Sequence, residues 1–258
     1  MIKFFRQIRQ RLLSEGKTTK YLKYAIGEIV LVVIGILIAL QINNWNEIRK
    51  ANKKSRNYLI EIKSDLKTDT IRFNRAIKLL NNMIADEKWV LKATDYTYKD
   101  VDRLWECISG WYMPFNINTR TFREMQNEGN SKLVGFDKLS EKINDYYIRI
   151  DNMTKERTAY DRQDVNERRA WLSDLEKTIE ISNHRMQTFG GGKVTKNFPM
   201  RQDSITNTEL IIAFANSTRG RNHFKHNYIR HMILVDWYKD VVSKAKNLIK
   251  EIEKELQN

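Results

Sequence analysis

Residues 29–40 read IVLVVIGILIAL, twelve side chains in a row without a polar group. Extended to Ala25 and Ile42, the apolar run has eighteen residues, of which only Glu28 and Gln41 are polar. A helix of that length rises about 27 Å, close to the hydrocarbon thickness of a bilayer. The stretch therefore predicts a transmembrane helix near the N-terminus.

A cleaved signal peptide is the alternative to an uncleaved anchor. Its basic region would have to exceed twenty residues, and cleavage after Ala39 would place Leu37 where a small side chain is required. No cysteine directly follows the apolar run to accept a lipid. We therefore predict that residues 17–45 form a signal anchor that stays in the bilayer.

The orientation of this anchor rests on its flanks. Seven basic residues precede the apolar run and six lie within residues 46–65, so the counts are nearly tied. Residues 1–16, MIKFFRQIRQRLLSEG, place apolar side chains at helical spacing among basic ones. This pattern is typical of an amphipathic helix on anionic lipid, and such a segment usually stays in the cytoplasm. We expect residues 46–258 on the other side of the membrane.

Glu28 is the one acidic residue inside the apolar run. In one interpretation it lies about one turn inside the cytoplasmic boundary and reaches headgroups or water. In the other it has a helix–helix or proton-linked role, because carboxylates inside membranes are costly. Both interpretations stay open, and Glu28 is a candidate functional residue.

The remaining residues predict an all-α fold. The whole chain has only ten glycines and two prolines, and none lies between Gly35 and Gly110. The anchor helix is therefore expected to continue to about residues 93–96, with apolar residues at spacings of three and four and Asp69 as a misfit. Further long helices are predicted over residues 137–186 and at the C-terminus. Together they indicate an elongated antiparallel helical bundle.

The C-terminal helix has the most regular stripe, with coiled-coil-like alternation of four and three. Its members are Phe224, Tyr228, His231, Val235, Tyr238, Val242, Ala245, Ile249, Ile252 and Leu256. We expect this seam to pack against the helix that continues from the anchor.

Shorter elements are expected between the long helices. A helix is predicted around residues 101–109. Possible capping boxes are Thr121 with Glu124 and Thr206 with Glu209. A loop is predicted over residues 187–207. The GGGK sequence in this loop lacks the residue spacing of a phosphate-binding loop. The run DRQDVNERR, residues 161–169, is interpreted as a solvated or loosely packed section.

Aromatic residues concentrate in the broken region before residue 123. Trp105, Trp111, Tyr112, Phe115 and Phe122 predict buried packing, with a partner-binding patch as the alternative. The single cysteine, Cys107, excludes an intramolecular disulfide, and its apolar neighbours predict a buried thiol.

The candidates for chemistry are weak. Three histidines lie close together in the sequence, but they point in directions around a helix that are too far apart to bind one metal ion: His223, His226 and His231. His231 occupies a seam position and is interpreted as a core histidine. Four neighbouring cations make a candidate anion or partner patch: Arg219, Arg221, Lys225 and Arg230. Glu180 and His184 stand one turn apart without a second pair. No catalytic, cofactor or metal site is predicted, so enzymatic function is unsupported.

The formal net charge of +14 fits anionic lipid, an acidic protein or nucleic acid. The membrane anchor argues against nucleic acid. The predicted partners are therefore membrane lipid and either another protein or a second copy of the chain.

The stretch KYLKYAIGEIVLVVIGILIALQINNWNE resembles the N-terminal signature of a large domain-of-unknown-function family of membrane-anchored proteins from Gram-negative bacteria. TFREMQNEGNSKLVGFDKLSEKINDYY is similar to that family's middle region. The resemblance implies an inner-membrane protein with a periplasmic helical domain, and it implies no activity. The predicted function is a protein-binding or envelope-organising module, with a ligand-sensing bundle coupled to the anchor as the alternative.

Overall fold

The computed structural model describes residues 6–7, 18–108, 112–129, 132–189 and 196–257. The described residues are helices and connecting segments without a β-strand, which confirms the all-α prediction. The amphipathic helix predicted for residues 1–16 lies outside the described residues except for Arg6 and Gln7, which are helical. The GGGK segment and Trp111 also lie outside them.

Seven α-helices are described, together with one short 3₁₀-helix at Tyr98–Asp100. They are α1 (Thr18–Lys92), α2 (Val101–Ile108), α3 (Arg120–Asn127), α4 (Asp137–Glu176), α5 (Asn183–Phe189), α6 (Ser204–Asn216) and α7 (Thr218–Gln257). Helix α1 is unbroken from the apolar run to Lys92, as the absence of glycine and proline predicts.

Three local predictions are wrong. Helix α4 ends at Glu176, and α5 is separate, where one helix to residue 186 was expected. The N-cap of α3 is Thr119, so Thr121 lies inside the helix and forms no capping box. Helix α6 is capped by Asp203 and not by Thr206. The Asp203 side chain accepts a hydrogen bond from the Thr206 backbone N–H, and Asp is the stronger N-cap residue of the two.

The chain divides into two compact units. The first unit is Met1–Asn57 with Leu133–Phe136. Within it, Gly135 has a φ of +84°, and a Cβ there would lie 2.2 Å from the Asn52 side chain. The positive backbone angle therefore favours glycine at this position, and a larger residue would also have to displace the end of the Asn52 side chain.

The second unit is Tyr58–Lys132 with Asp137–Asn258, and it holds the main core. Within it, α7 runs antiparallel to α1, because Lys67 pairs with Glu253 while Phe73 stacks on Tyr238 farther along. It also runs antiparallel to α4, since Lys142 pairs with Glu251 and Asp161 pairs with Arg230. The expected packing of the C-terminal seam against α1 is thus seen in these contacts.

Burial follows the predicted stripes. Eight of the ten seam residues of α7 are buried, and Tyr228 and Leu256 are half-buried. Leu234, Val241 and Leu248 are buried as well, so the apolar face is broader than a coiled-coil seam. This breadth follows from contacts with two long helices at once.

The prediction of buried aromatic packing is confirmed for Phe115; Trp105 and Phe122 are half-buried, and the prediction is wrong for Tyr112, which is exposed. Phe115 is buried, and its ring centroid lies 4.5 Å from Tyr238 and 5.3 Å from Phe73. Phe122 stacks on Tyr147 at 4.5 Å. These contacts fasten the segment between α2 and α3 to the long helices.

The junction of α6 and α7 is a close contact. A Cβ on Gly220 would lie 1.9 Å from the backbone oxygen of Phe214, so only glycine fits. Ser217 lies between the helices, and its hydroxyl accepts a hydrogen bond from the Gly220 N–H while donating one to Phe214. This serine caps the start of α7.

A carboxylate in the α7 seam should unfold the second unit. Val235 is 4% exposed. In Val235→Asp, desolvation of an unpaired charge costs several kcal/mol, a large part of a domain's stability of about 5–15 kcal/mol. We expect loss of the cooperative thermal transition, followed by circular dichroism of the whole chain in detergent. Lys250→Asp on the exposed face is the matched control, and an unchanged Tm in Val235→Asp would contradict a core position.

Candidate functional site

The apolar part of α1 is open to its surroundings. None of its most apolar eighteen-residue window is buried, and the helix is long and apolar enough to cross a membrane. Trp45 at one end is 63% exposed. Glu28 is half-exposed in α1, and its intramembrane role stays a prediction. The described apolar part of α1 thus has the length and composition that a membrane span requires.

The four cations of the predicted patch have separate positions. Arg230 is buried against Asp161, and Arg219 pairs with the exposed Asp174. Arg221 donates hydrogen bonds to the backbone oxygens of Val90 and Leu91. Lys225 is exposed. Three members therefore have structural roles, and anion binding by the group stays a prediction.

Arg221 has a clear task at the end of α1. The last carbonyl groups of a helix have no partners within it, and cations near them interact favourably with the helix dipole. The guanidinium satisfies two of these carbonyls, and the Tyr96 hydroxyl donates to Val90 as well. Helix α7 thus caps α1 at its last turn.

The three histidines are also dispersed. His226 is exposed, whereas His223 and His231 are buried. His223 Nε2 lies 2.9 Å from the backbone oxygen of Ile108, and burial lowers the pKa of His223 to about 4. Among the described residues there is no group of three or more His, Cys, Asp or Glu that could hold a metal ion.

His231 belongs to a buried polar chain that crosses three helices. Arg230 Nη2 lies 2.8 Å from His231 Nε2, and His231 Nδ1 lies 2.7 Å from Glu87 Oε1. Because a guanidinium only donates, Nε2 is the acceptor in its contact with Arg230, and Nδ1 is the ring nitrogen next to Glu87. The interpretation of His231 as a core histidine is confirmed.

The other end of this chain is Asp161 on α4. Its Oδ1 accepts a hydrogen bond from Arg230 Nη1 at 2.8 Å, and its Oδ2 accepts one from the Met113 backbone N–H at 2.8 Å. Asp161 is 2% exposed, so the view of residues 161–169 as solvated is wrong at its first residue. We call Glu87, His231, Arg230 and Asp161 the buried ionic chain.

A second buried pair of carboxylates fastens the segment before α3 to α1. Asp69 Oδ2 accepts a hydrogen bond from the Asn118 N–H, and Asp65 Oδ1 accepts one from the Asn118 side chain. Asp65 Oδ2 also lies 3.4 Å from the backbone nitrogen of Thr121 in the first turn of α3. Burial raises the pKa of Asp69, while the bond from Asn118 opposes the shift. Asp69, which interrupts the apolar stripe of α1, therefore has a structural role. Together with Asp65 it forms a clamp that holds Asn118 against α1.

Two further candidates are explained by packing. Cys107 is buried and free, and burial raises its pKa to about 12, which confirms the prediction of a buried thiol. Glu180 lies between α4 and α5 and accepts backbone N–H bonds from Arg201 and Gln202. It is therefore not one helical turn from His184, because α4 ends before it.

Glu87 and Asp161 were missed by the sequence analysis. Glu87 continues the α1 stripe, three residues after the buried Ile84 and three before the buried Val90. A carboxylate at a stripe position is the signal that identifies such a residue, as it did for Asp69. The partner of each carboxylate comes from a distant part of the chain, and spacing alone does not reveal it.

Two hollows lie between α4 and α7, and we call them together the groove; their linings combine apolar and charged side chains. The larger hollow, about 480 Å³, is lined by residues 142–153 and 244–251. The smaller hollow, about 110 Å³, is lined by residues 160–168 and 226–237. Tyr160, Ile229 and Ile233 border the smaller hollow and are largely exposed. This apolar surface is available to a partner.

Breaking the buried ionic chain should destabilise the fold without a change at the surface. Asp161→Asn leaves Arg230 buried without its carboxylate, and removal of one partner from such a pair costs about 3–5 kcal/mol. We expect a large fall in Tm, measured by circular dichroism in detergent. Asp174→Asn, which removes an exposed partner of Arg219, should leave the Tm nearly unchanged; equal effects would contradict the role of the chain.

Comparisons with known proteins extend the sequence resemblance. No curated protein and no solved structure matches this chain. A family model does match part of the chain. The matched segment begins at Glu28 in α1 and ends at Asn118, the residue that donates hydrogen bonds to Asp65 and Asp69. The resemblance to a domain-of-unknown-function family is therefore confirmed for that segment: residues 28–118 match DUF6090, a family of unknown function.

Proposed function

We propose that this chain is a single-pass membrane protein whose helical domain faces the periplasm and binds another protein, in an envelope assembly, without catalysing a reaction. The observation that carries the proposal is the exposed apolar groove between α4 and α7. Apolar side chains that lie exposed next to one another among polar residues, as Tyr160, Ile229 and Ile233 do, are a feature of interaction sites. The exposed apolar part of α1 supplies the membrane attachment.

The polar groups inside the second unit support binding over catalysis. Asp161 is fully engaged by Arg230 and Met113, and Asp69 by Asn118 and Arg72. Groups that are engaged in this way hold elements together and are not poised towards a substrate. The groove, by contrast, is open and has an apolar floor that includes Ile150, Met153 and Leu248.

A ligand-sensing role is the second candidate. Helix α1 is unbroken from the anchor to Lys92, where Arg221 of α7 caps it. The larger hollow has a volume within the range of small-molecule sites. A ligand between α4 and α7 would then act on α1 through the contacts of α7.

The periplasmic orientation has a direct test. A reporter enzyme that is active only in the periplasm, fused after Asn258, should be active, because the basic segment at residues 1–16 favours the cytoplasm. A cytoplasm-only reporter at the same position should be silent. The opposite pattern would overturn both the orientation and the envelope function.

Protein binding is tested by crosslinking in intact cells. A tagged full chain should yield a defined crosslinked product that a tagged anchor, residues 1–57, does not yield. Mass spectrometry of the product separates a different protein from a second copy of this chain. Identical products from the full chain and the anchor would show that the helical domain binds no partner.

A further inference from the structure

The two hollows of the groove lie in one row, and Arg157 lies between them. The larger hollow includes Ile150 and the smaller one includes Asp164, each seven residues from Arg157 along α4. The guanidinium carbon of Arg157 lies 4.6 Å from the ring centroid of Trp237 on α7. Along α4, Arg157 therefore lies between the residues that line the two hollows, and its guanidinium packs on Trp237, which lines the smaller one.

The carboxylates along the groove already have partners. Each of four cations forms a salt bridge with a nearby carboxylate, and these pairs are Lys142–Glu251, Arg149–Asp145, Arg168–Asp164 and Lys244–Asp240. Such pairs neutralise one another on the groove rim. Each of these carboxylates therefore already has a cation as its salt-bridge partner.

Arg157 differs from these cations. Within the described part of the chain it forms no salt bridge, and its Nη1 is buried without a hydrogen-bond acceptor. Burial lowers the pKa of Arg157, and Asp240, which pairs with Lys244, only partly opposes the shift. A guanidinium remains charged in proteins and has five N–H donors, so a carboxylate brought by a partner could form the salt bridge that the described chain does not supply.

We propose that the groove binds an amphipathic helix of a partner protein, with an acidic side chain of that helix paired to Arg157 and an apolar side chain in each hollow. The proposal deepens the protein-binding function proposed above and rests on it. A helix laid in a groove between two helices is a recurrent mode of recognition, with apolar anchors along one face.

The dimensions of the groove define the partner's pattern. Fourteen residues separate Ile150 from Asp164, which is about 21 Å along a helix. A partner helix packed nearly parallel to α4 would place two apolar residues about fourteen positions apart, with Asp or Glu near the midpoint. Seven-residue steps keep the three side chains on one face.

Charge favours a different protein over a second copy of this chain. The chain has a formal net charge of +14, so two copies repel each other. An acidic helix is attracted to the same surface, and a carboxylate supplies what Arg157 lacks. A second copy is therefore an outcome of the test and not the proposal.

The test uses the full chain in native membranes with a photoreactive residue, p-benzoylphenylalanine, at one position at a time. Ile233 borders the smaller hollow and Asn247 the larger one, and Ile71 on α1 is an exposed control outside the groove. We expect one partner protein to be crosslinked from Ile233 and from Asn247 but not from Ile71. The crosslinked peptide should carry the apolar–acidic–apolar pattern.

Charge variants at Arg157 distinguish recognition from chance proximity. Arg157→Glu should lower the crosslinking yield from Ile233 at least about tenfold, while Arg157→Lys should retain most of it. Arg157→Met keeps the apolar stem and should fall between them. Arg157→Glu can disturb packing on Trp237, so the Tm of each variant is measured. If Arg157→Glu unfolds the chain, the crosslinking yields of Arg157→Lys and Arg157→Met are compared instead.

Each outcome decides between the proposals. Products only from Ile71 would contradict binding in the groove but would leave the proposed protein binding intact. Groove products whose yield does not depend on the charge at position 157 would have the same consequence. Products joining two copies of this chain would replace the acidic helix by self-association. No product from any position would overturn both the groove and the proposed function.

Discussion

Arg230 carries its charge inside the second unit, where only neighbouring side chains compensate it. Asp161 on α4 supplies the carboxylate, and His231 and Glu87 extend the contact to α1. Apolar stripes allow neighbouring helices to slide in steps of a turn, whereas a buried ion pair is satisfied in one register only. The buried ionic chain therefore fixes how the three long helices align, which is the role best attested for such groups.

The same helices are joined at two other levels by polar contacts. Arg221 caps the last turn of α1 from α7, and the clamp of Asp65 and Asp69 holds Asn118 before α3. Between these levels, Phe73, Phe115 and Tyr238 fill the core. Each polar contact lies where an irregular segment or a helix end meets α1, because backbone groups there have no partners within a helix. The fold thus relies on side chains to satisfy its helix ends.

Much of this fold follows from sequence periodicity. The stripe from Phe224 to Ile252 predicted the buried face of α7, and the absence of glycine and proline after Gly35 predicted the length of α1. Both are local properties, in which each residue contributes a repeat of the same signal.

The failures have a common physical reason. The end of α4 at Glu176 has no glycine or proline to mark it. Glu180, in the segment that follows, accepts hydrogen bonds from backbone amides 21 and 22 residues away. Likewise, the sequence around Asp161 predicts a surface residue, because its partner Arg230 is distant in the chain. Arg221 is also predicted to be a surface cation, because the sequence does not show that the end of α1 lies beside it. Contacts between distant segments decide these positions, and a single sequence does not specify such pairs.

The contrast between interior and surface bears on function. Inside the second unit, charged groups such as Asp161 and Arg230 satisfy one another, so they stabilise a rigid arrangement. On the groove, Arg157 packs on Trp237 and forms no salt bridge within the described chain, and Asp240 only partly offsets the effect of burial on its charge. A rigid scaffold lowers the entropic cost of association, and a cation without a salt-bridge partner favours a binding partner that brings an anion to it. Both properties favour recognition of a protein by a surface that is already formed.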